Sequence, residues 1–459
     1  MGRPRCRRNV VVMKRAAAFV LVGLVLVTSL SSSEAVGPLG QIVSPVSATA
    51  AAELVLTPTD VVRVHQTSEL SLDVYARVAG AANAARAAWS ESRGGSVPMG
   101  LVMRGPAIVQ QPEIVGYHFS MGVTVLPTEA IAALMGRDVA GVVARGDVVM
   151  GSTTAGLRDA RVGDTIDLLA ASGAVVRLTV GMVADDSVIG GTELLLSPAQ
   201  GDRLGVTRVT SIVVWGFPSR DSIDANLAAY GLDQRVGTRV RRSWDPFDPD
   251  ATLSMSETKA RLGEFAYRVR ANGIDADVTP SWTYQFIPPV RELYPTGINA
   301  RCNYMIQADL RAALNDVVNA GLAGQIDVAN ANRYGGCFNA RFNRVTGNLG
   351  VLSRHSWGAP IDMNTTTNAQ GSLPQMNCDV VRIFRRHNFA WGGNFVTPDG
   401  MHFEWVGEQR DQYQYPSRYC PNLSVPPSAT SASSDSSAPF APRTMRARLL
   451  VDDGWGIGE

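Results

Sequence analysis

The sequence predicts an α+β protein with two globular parts, on three observations. Short Val- and Gly-rich strand-like segments fill residues 54–290. Helical stretches interrupt them rather than alternate with them in βαβ order. Residues 295–423 then change character, gathering three of the five His and four of the five Cys among short Gly-rich blocks. At 459 residues two or three domains are expected, because single cores stop growing well below this length.

Taken in order, Leu72–Trp89 carries an Ala-rich helical repeat. Thr165–Leu168 and Ala174–Val183 are β-rich runs joined across Ala171-Ser172-Gly173, the pattern of a hairpin. A second helix is predicted over Ser256–Asn272, opening at Ser256-Glu257 and closing at Gly273. Further on, Ile306, Leu310, Leu314, Val317 and Val318 recur at helical spacing before the stop at Gly321. Ile326–Asn332 reads as a strand, and Met376–Phe389 as a helix with Val380, Ile383, Phe384 and His387 on one face. His65 and His118 have no acidic or histidine partner at ligand spacing and read as structural.

The ends differ from the body. Arg3, Arg5, Arg7, Arg8, Lys14 and Arg15 precede an apolar run from Ala16 to Leu30, the layout of an export signal. Residues 1–35 are therefore expected to be a signal peptide cut near Ser33-Glu34-Ala35, with a retained membrane anchor as the rival. Residues 36–53 follow as a linker, and 424–459 is a Ser-, Pro- and Ala-rich tail expected to be disordered. Either reading of the leader places the protein outside the cytoplasm, secreted or tethered at the cell envelope. There an even set of cysteines reads as two disulfides. Sequence proximity favours Cys302 with Cys337 and Cys378 with Cys420 among the three pairings. With 42 basic and 41 acidic side chains the net charge is +1, so nucleic-acid binding through a bulk positive field is not expected.

Two blocks carry the chemistry. They are Ser353-Arg354-His355-Ser356-Trp357-Gly358-Ala359-Pro360-Ile361-Asp362, and Trp391-Gly392-Gly393 followed by Pro398-Asp399-Gly400-Met401-His402-Phe403-Glu404-Trp405. Fully extended, His355 and Asp362 would stand some 20 Å apart at about 3.3 Å per residue. Two ligands of one zinc must converge within roughly 2 Å of the ion, so the chain has to double back at Gly358 and Pro360. Beyond the bend, Ile361 and Met363 face one way and Asp362 the other. In the second block the Pro398-Asp399-Gly400 turn leads into a strand with Phe403 and Trp405 on the core face and His402 and Glu404 opposite. His355, Asp362 and His402 are thus three ligands of the types zinc accepts, with a fourth position left for water. Asp399 is the spare carboxylate for proton transfer, Glu404 a candidate to orient a ligand, and Arg333 and Arg341 candidates to grip a substrate carboxylate.

These residues resemble the zinc D-Ala-D-Ala carboxypeptidases and their relatives the L-Ala-D-Glu endolysin peptidases, which cut peptidoglycan stem peptides. The resemblance spans roughly residues 302–406. It implies a small zinc peptidase domain with an antiparallel sheet, Zn2+ on His355, Asp362 and His402, Asp399 as catalytic base, and Arg333 and Ser353 at the substrate. Pro360 stands where the family usually has Ala, and Asp399 where many members have Glu. In the middle region, Val162-Gly163-Asp164-Thr165 and the hairpin ending Thr179-Val180-Gly181 resemble the extracytoplasmic core domain of ABC-type permeases. The resemblance brings no chemical motif, and the role of residues 54–290 stays open as a binding, spacing or sensing module. The expected partners are stem peptides, with a membrane tether through the leader and no nucleic acid. The expected activity is a D-alanyl-D-alanine carboxypeptidase. An L-Ala-D-Glu-type endopeptidase and a non-catalytic wall-binding module with a structural zinc are the alternatives.

Overall fold

The computed structural model describes residues 60–422 except 234, 236, 329–335 and 346–349. The expected leader, linker and tail, and Arg333, lie outside the described residues. Everything below belongs to one unit, Val55–Glu459, and the protein is α+β throughout.

The strand Ala88–Arg104 organises the larger sheet. Along its length it pairs antiparallel with Val209–Trp215, then His118–Val125, then Thr165–Leu169. Val175–Ala184, Val148–Gly151 and Leu194–Leu196 connect Thr165–Leu169 back to His118–Val125, so the strands close into a ring. Val97 and Met99 face inward by the two-residue period of a strand. A register shift between Met99 and Leu101 then moves the inward phase to Val102. These side chains meet Met121, Ile166, Val180 and Leu194 in a buried cluster. The predicted hairpin is present as Thr165–Leu169 and Val175–Ala184.

Two helices end sooner than their local sequence predicts. Leu72–Ala84 starts on a Ser71 cap and buries Val74, Val78, Ala81 and Ala82, one stripe of a 3.6-residue period. Arg86 then turns left-handed at φ 54°, and Trp89 pairs with Val214 as strand. Likewise Ser254 and Glu257 form a reciprocal cap that starts Met255–Leu262, and Gly263 at φ 82° ends it. Ala266–Val269 goes on to pair with His118–Val125. In both places sheet pairing overrides helix propensity, which is a weak prior beside tertiary hydrogen bonding.

The C-terminal part holds a three-stranded antiparallel sheet with His402–Trp405 between Pro360–Asp362 and Phe389–Trp391. Ile361, Phe403, Phe389 and Phe384 are fully buried. The helices Gln307–Asn319 and Cys378–Arg386 pack against each other and contribute to the same core. This core also draws in Leu262, Phe265, Tyr267 and Trp282, upstream of the boundary expected at 290–295. Cys378–Arg386 is shorter than the predicted Met376–Phe389 because Asn388 at φ 71° reverses the chain into the strand at Phe389. Ile326–Val328 forms no strand, and the rest of that predicted segment lies outside the described residues. The two disulfides are Cys302–Cys337 and Cys378–Cys420. Among the described residues no helix is long and apolar enough to cross a membrane.

Buried polar links tie the C-terminal part to residues 250–258, and the helix Met255–Leu262 to the larger sheet side. Lys259 donates to both carboxylate oxygens of Glu193 at 2.8 Å. Arg385 forks onto Asp250 at 2.9 and 2.6 Å. Arg354 donates to the Leu253 carbonyl at 2.6 Å and to Thr258 Oγ1 at 2.5 Å. Each buried charge therefore has a partner, without which its burial would cost several kcal/mol.

Candidate metal centre

His355 sits in a single 3-10 turn, Arg354–Trp357, opened by Ser353 and closed by Gly358 at φ 63°. A side chain on Gly358 would meet Asn303 N and Ile287 Cδ1 at 3.0 Å, so the bend predicted there needs its glycine for space as well as for conformation. The turn delivers the chain into Pro360–Asp362, whose register sets Asp362 opposite His402. Period-two alternation puts Ile361 and Phe403 in the core and both polar side chains on the other face.

The second block is fixed by close packing. A Cβ on Gly392 would lie 2.6 Å from the Asp399 carbonyl, and one on Gly393 would overlap the Trp391 ring. Trp391 Nε1 donates to the Gly400 carbonyl at 2.9 Å. The Asp399 N–H donates to the Gly392 carbonyl at 2.8 Å and the His402 N–H to the Asp399 carbonyl at 3.1 Å. Asp399 and His402 therefore belong to one braced turn.

The structure brings His355, Asp362 and His402 together, with one potential ligand atom from each within 4.8 Å of the others. Asp362 lies between the imidazoles: Oδ2 is 3.1 Å from His355 Nε2 and Oδ1 is 3.2 Å from His402 Nδ1. Donors about 2.0–2.1 Å from one tetrahedral ion stand about 3.3 Å apart, close to both imidazole–carboxylate separations. Burial pushes the Asp362 carboxyl up, but the adjacent His355 and His402 more than reverse this and hold it well below the usual carboxylate range.

The remaining ring nitrogens decide which atoms face the centre. His355 Nδ1 is 2.7 Å from the Cys337 carbonyl. A carbonyl can only accept, so Nδ1 carries the hydrogen and Nε2 presents its lone pair. His402 Nε2 is 3.4 Å from Glu404 Oε2, which leaves Nδ1 towards Asp362 by the same logic. Glu404 is itself 3.6 Å from Arg354 Nε. Asp399 is buried, and its Oδ2 accepts from Gln370 Nε2 at 2.9 Å.

Other polar side chains of this part are held as follows. Ser353 is fully buried, and its Oγ accepts from the His355 N–H at 3.1 Å, which is a turn-capping contact. Arg341 is buried; its backbone N–H donates to Ser356 Oγ at 3.1 Å and its guanidinium donates to the Phe342 carbonyl at 3.2 Å. His387 pairs with Asp316 at 2.8 Å, joining the two helices. The Cys337 carbonyl, Gln370 and the Arg354 link were not found from sequence, since each depends on a contact between distant residues that leaves no local pattern.

Residues 346–405 match the family model described as D-alanyl-D-alanine carboxypeptidase. The matched stretch contains His355, Asp362, Asp399 and His402. This likeness to the D-alanyl-D-alanine carboxypeptidases supports a peptidoglycan-related metallopeptidase in general terms, a class that is typically metal-dependent. No curated protein matches the chain. Among solved structures, the extracellular domain of the noncanonic ABC-type transporter YknZ from Gram-positive bacteria overlaps 39% of this chain and 99% of its own, at 10% identity and a TM-score of 0.23. That is the kind of domain the Val162–Gly181 stretch resembles, and at this score the overlap carries no argument about role.

Proposed function

We propose that the protein is a zinc-dependent peptidase that hydrolyses peptidoglycan stem peptides as a D-alanyl-D-alanine carboxypeptidase. The observation that carries this reading is the Asp362 carboxylate flanked by His355 Nε2 and His402 Nδ1, with Asp399 braced on the same turn as His402. His355, Asp362 and His402 would hold the ion. Bound zinc lowers the pKa of a coordinated water towards about 7 and polarises a carbonyl.

This chain's own residues supply the rest. Cys337 and Glu404 keep the two imidazoles in the ligating tautomers. Gln370 holds one Asp399 oxygen, aiming the carboxylate to take a proton from the attacking water. The amide C–N bond then breaks, and Asp399 returns that proton to the departing amine. Arg333, outside the described residues, is the residue the family resemblance places on the substrate carboxylate. The disulfides suit an oxidising, extracytoplasmic compartment. Secretion or tethering through residues 1–35 completes the proposal.

The test is mass spectrometry of defined muropeptides incubated with the zinc-loaded full chain. The proposal requires loss of terminal D-Ala. Asp399→Asn should slow it by about 10²–10⁴-fold, the usual share of a general base, with zinc still bound. Zinc binding without turnover of any stem peptide would overturn the catalytic reading.

A further inference from the structure

The turn next to Asp399 is held from outside the segment that matches the peptidase family. Asp250 is buried, and each of its carboxylate oxygens is shared between Arg385 and this turn. Oδ1 accepts from Arg385 Nε at 2.9 Å and from the Trp391 N–H at 3.0 Å. Oδ2 accepts from Arg385 Nη2 at 2.6 Å and from Asn394 Nδ2 at 2.7 Å. One acid thus grips the first and last residues of Trp391–Asn394, on either side of Gly392 and Gly393. The chain beyond is held as well: Arg239 donates to the Asn394 carbonyl, and the Thr67 and Thr397 hydroxyls bond to each other at 2.7 Å. Asp250, Arg239 and Thr67 all lie in the middle region, well before residue 346, where the matched stretch begins.

Direct contact carries this grip to Asp399. Two adjacent glycines have no side chains with which to anchor themselves and lose the most conformational freedom on ordering, so the turn depends on outside bonds for its position. The Gly392 carbonyl accepts the Asp399 N–H at 2.8 Å. A Cβ on Gly392 would meet the Asp399 carbonyl at 2.6 Å and His402 Cβ at 3.0 Å, so a shift of the turn moves Asp399 with it. Thr397 stands two residues before Asp399, across Pro398, whose ring fixes φ. We propose that Asp250, with Thr67, is a positioning residue for the proton-transferring carboxylate: it fixes the Trp391–Asn394 turn and thereby the place of Asp399 beside His402. The middle region is then a part of the peptidase site. The proposal rests on the peptidase reading and deepens it. The metal ligands depend less on this clamp, because sheet register sets Asp362 against His402, and Cys337 and Ser353 hold His355.

The test uses the full chain. Asp250→Asn puts an amide where the carboxylate accepts from Arg385 and Asn394. Asn394→Ala removes the turn's side-chain bonds to Asp250 and Tyr419 but keeps the Asp250–Arg385 pair, so the test stands even if Asp250→Asn does not fold. Thr67→Val deletes the hydroxyl that meets Thr397 at nearly constant shape, and Thr67→Ser keeps it. Hydrogen exchange of the metal-free chain, read by mass spectrometry, should be about tenfold faster over residues 391–400 in Asn394→Ala and Thr67→Val, with Pro360–Asp362 unchanged. A misplacement of about 1 Å can cost about 10²-fold in rate, so kcat on a muropeptide ending in D-Ala-D-Ala should fall at least about tenfold, with KM and the zinc dissociation constant within about threefold of native. Thr67→Ser should restore both exchange and kcat. Native-like exchange over 391–400 in both variants, a kcat loss matched by an equal loss of zinc affinity, or Thr67→Ser as impaired as Thr67→Val would overturn the proposal. Faster exchange in the variants with no turnover by the native chain would instead sink the peptidase reading and leave the clamp on the turn standing.

Discussion

The two disulfides close loops of nearly equal length and should nevertheless differ in what they do for the metal centre. Their cysteines are separated by 35 and 42 residues. Loop-closure entropy then assigns each about 4 kcal/mol at 25 °C, with a difference of only about 0.2 kcal/mol. The Cys302–Cys337 bond holds the carbonyl that fixes the His355 tautomer at 2.7 Å. The Cys378–Cys420 bond instead secures the start of a helix and the Cys420 carbonyl, which accepts from Arg385 at 2.6 Å. Replacing each pair by Ala should therefore lower stability similarly in urea. Only the Cys302→Ala/Cys337→Ala protein should also lose zinc affinity, by the 10–100-fold typical of a lost ligand-orienting bond. Competition titration against a zinc chromophore, at temperatures where both variants are folded, separates the two effects. Equal loss of affinity in both variants, or in neither, would refute the claim that Cys337 orients His355.

Arg354→Met should destabilise the fold by about 3–5 kcal/mol by taking the cationic partner from the buried Glu404 carboxylate, and Arg354→Met/Glu404→Gln should recover part of that in a double-mutant cycle read by urea denaturation. Chelation should lower thermal stability, with the lost zinc contribution near 4 kcal/mol at a thousandfold excess of free zinc over its dissociation constant; His402→Ala should be indifferent to the chelator. His65 is fully buried, and burial followed by Arg63, Arg239 and Arg241 holds its pKa well below 6.5. The unfolded chain therefore takes up a proton there that the folded chain refuses. The His65 contribution should be fully present above about pH 6.5 and fade as the pH falls below it, by up to about 1.4 kcal/mol per pH unit. Urea denaturation at pH 7, 6 and 5 should show a shallower slope in His65→Gln.

The convergence of His355, Asp362 and His402 was legible because the patterns behind it are local. Gly358 and Pro360 announce a bend, Ile361 and Phe403 announce which strand face is buried, and Pro398-Asp399-Gly400 announces a turn. Asp362 and His402 then share a face by parity alone, as their register bears out. The disulfide pairing followed from proximity in the chain. Helix ends were less legible at Ala84 and Leu262, where hydrogen bonds to strands far away in sequence take over from propensity. The supports of the site were not legible at all. Arg354 reaches Leu253 and Thr258 across about a hundred residues, and Gln370 reaches Asp399 across 29. A single sequence records such contacts as unremarkable polar residues.

X-ray absorption at the zinc edge of the full chain, loaded with one equivalent of metal, tests the centre most directly. The account predicts a single ion in a shell of nitrogen and oxygen at about 2.0–2.1 Å, with the scattering signature of two imidazoles, one of which disappears in His355→Ala. A shell containing sulfur, or a spectrum unchanged by His355→Ala and His402→Ala, would contradict it.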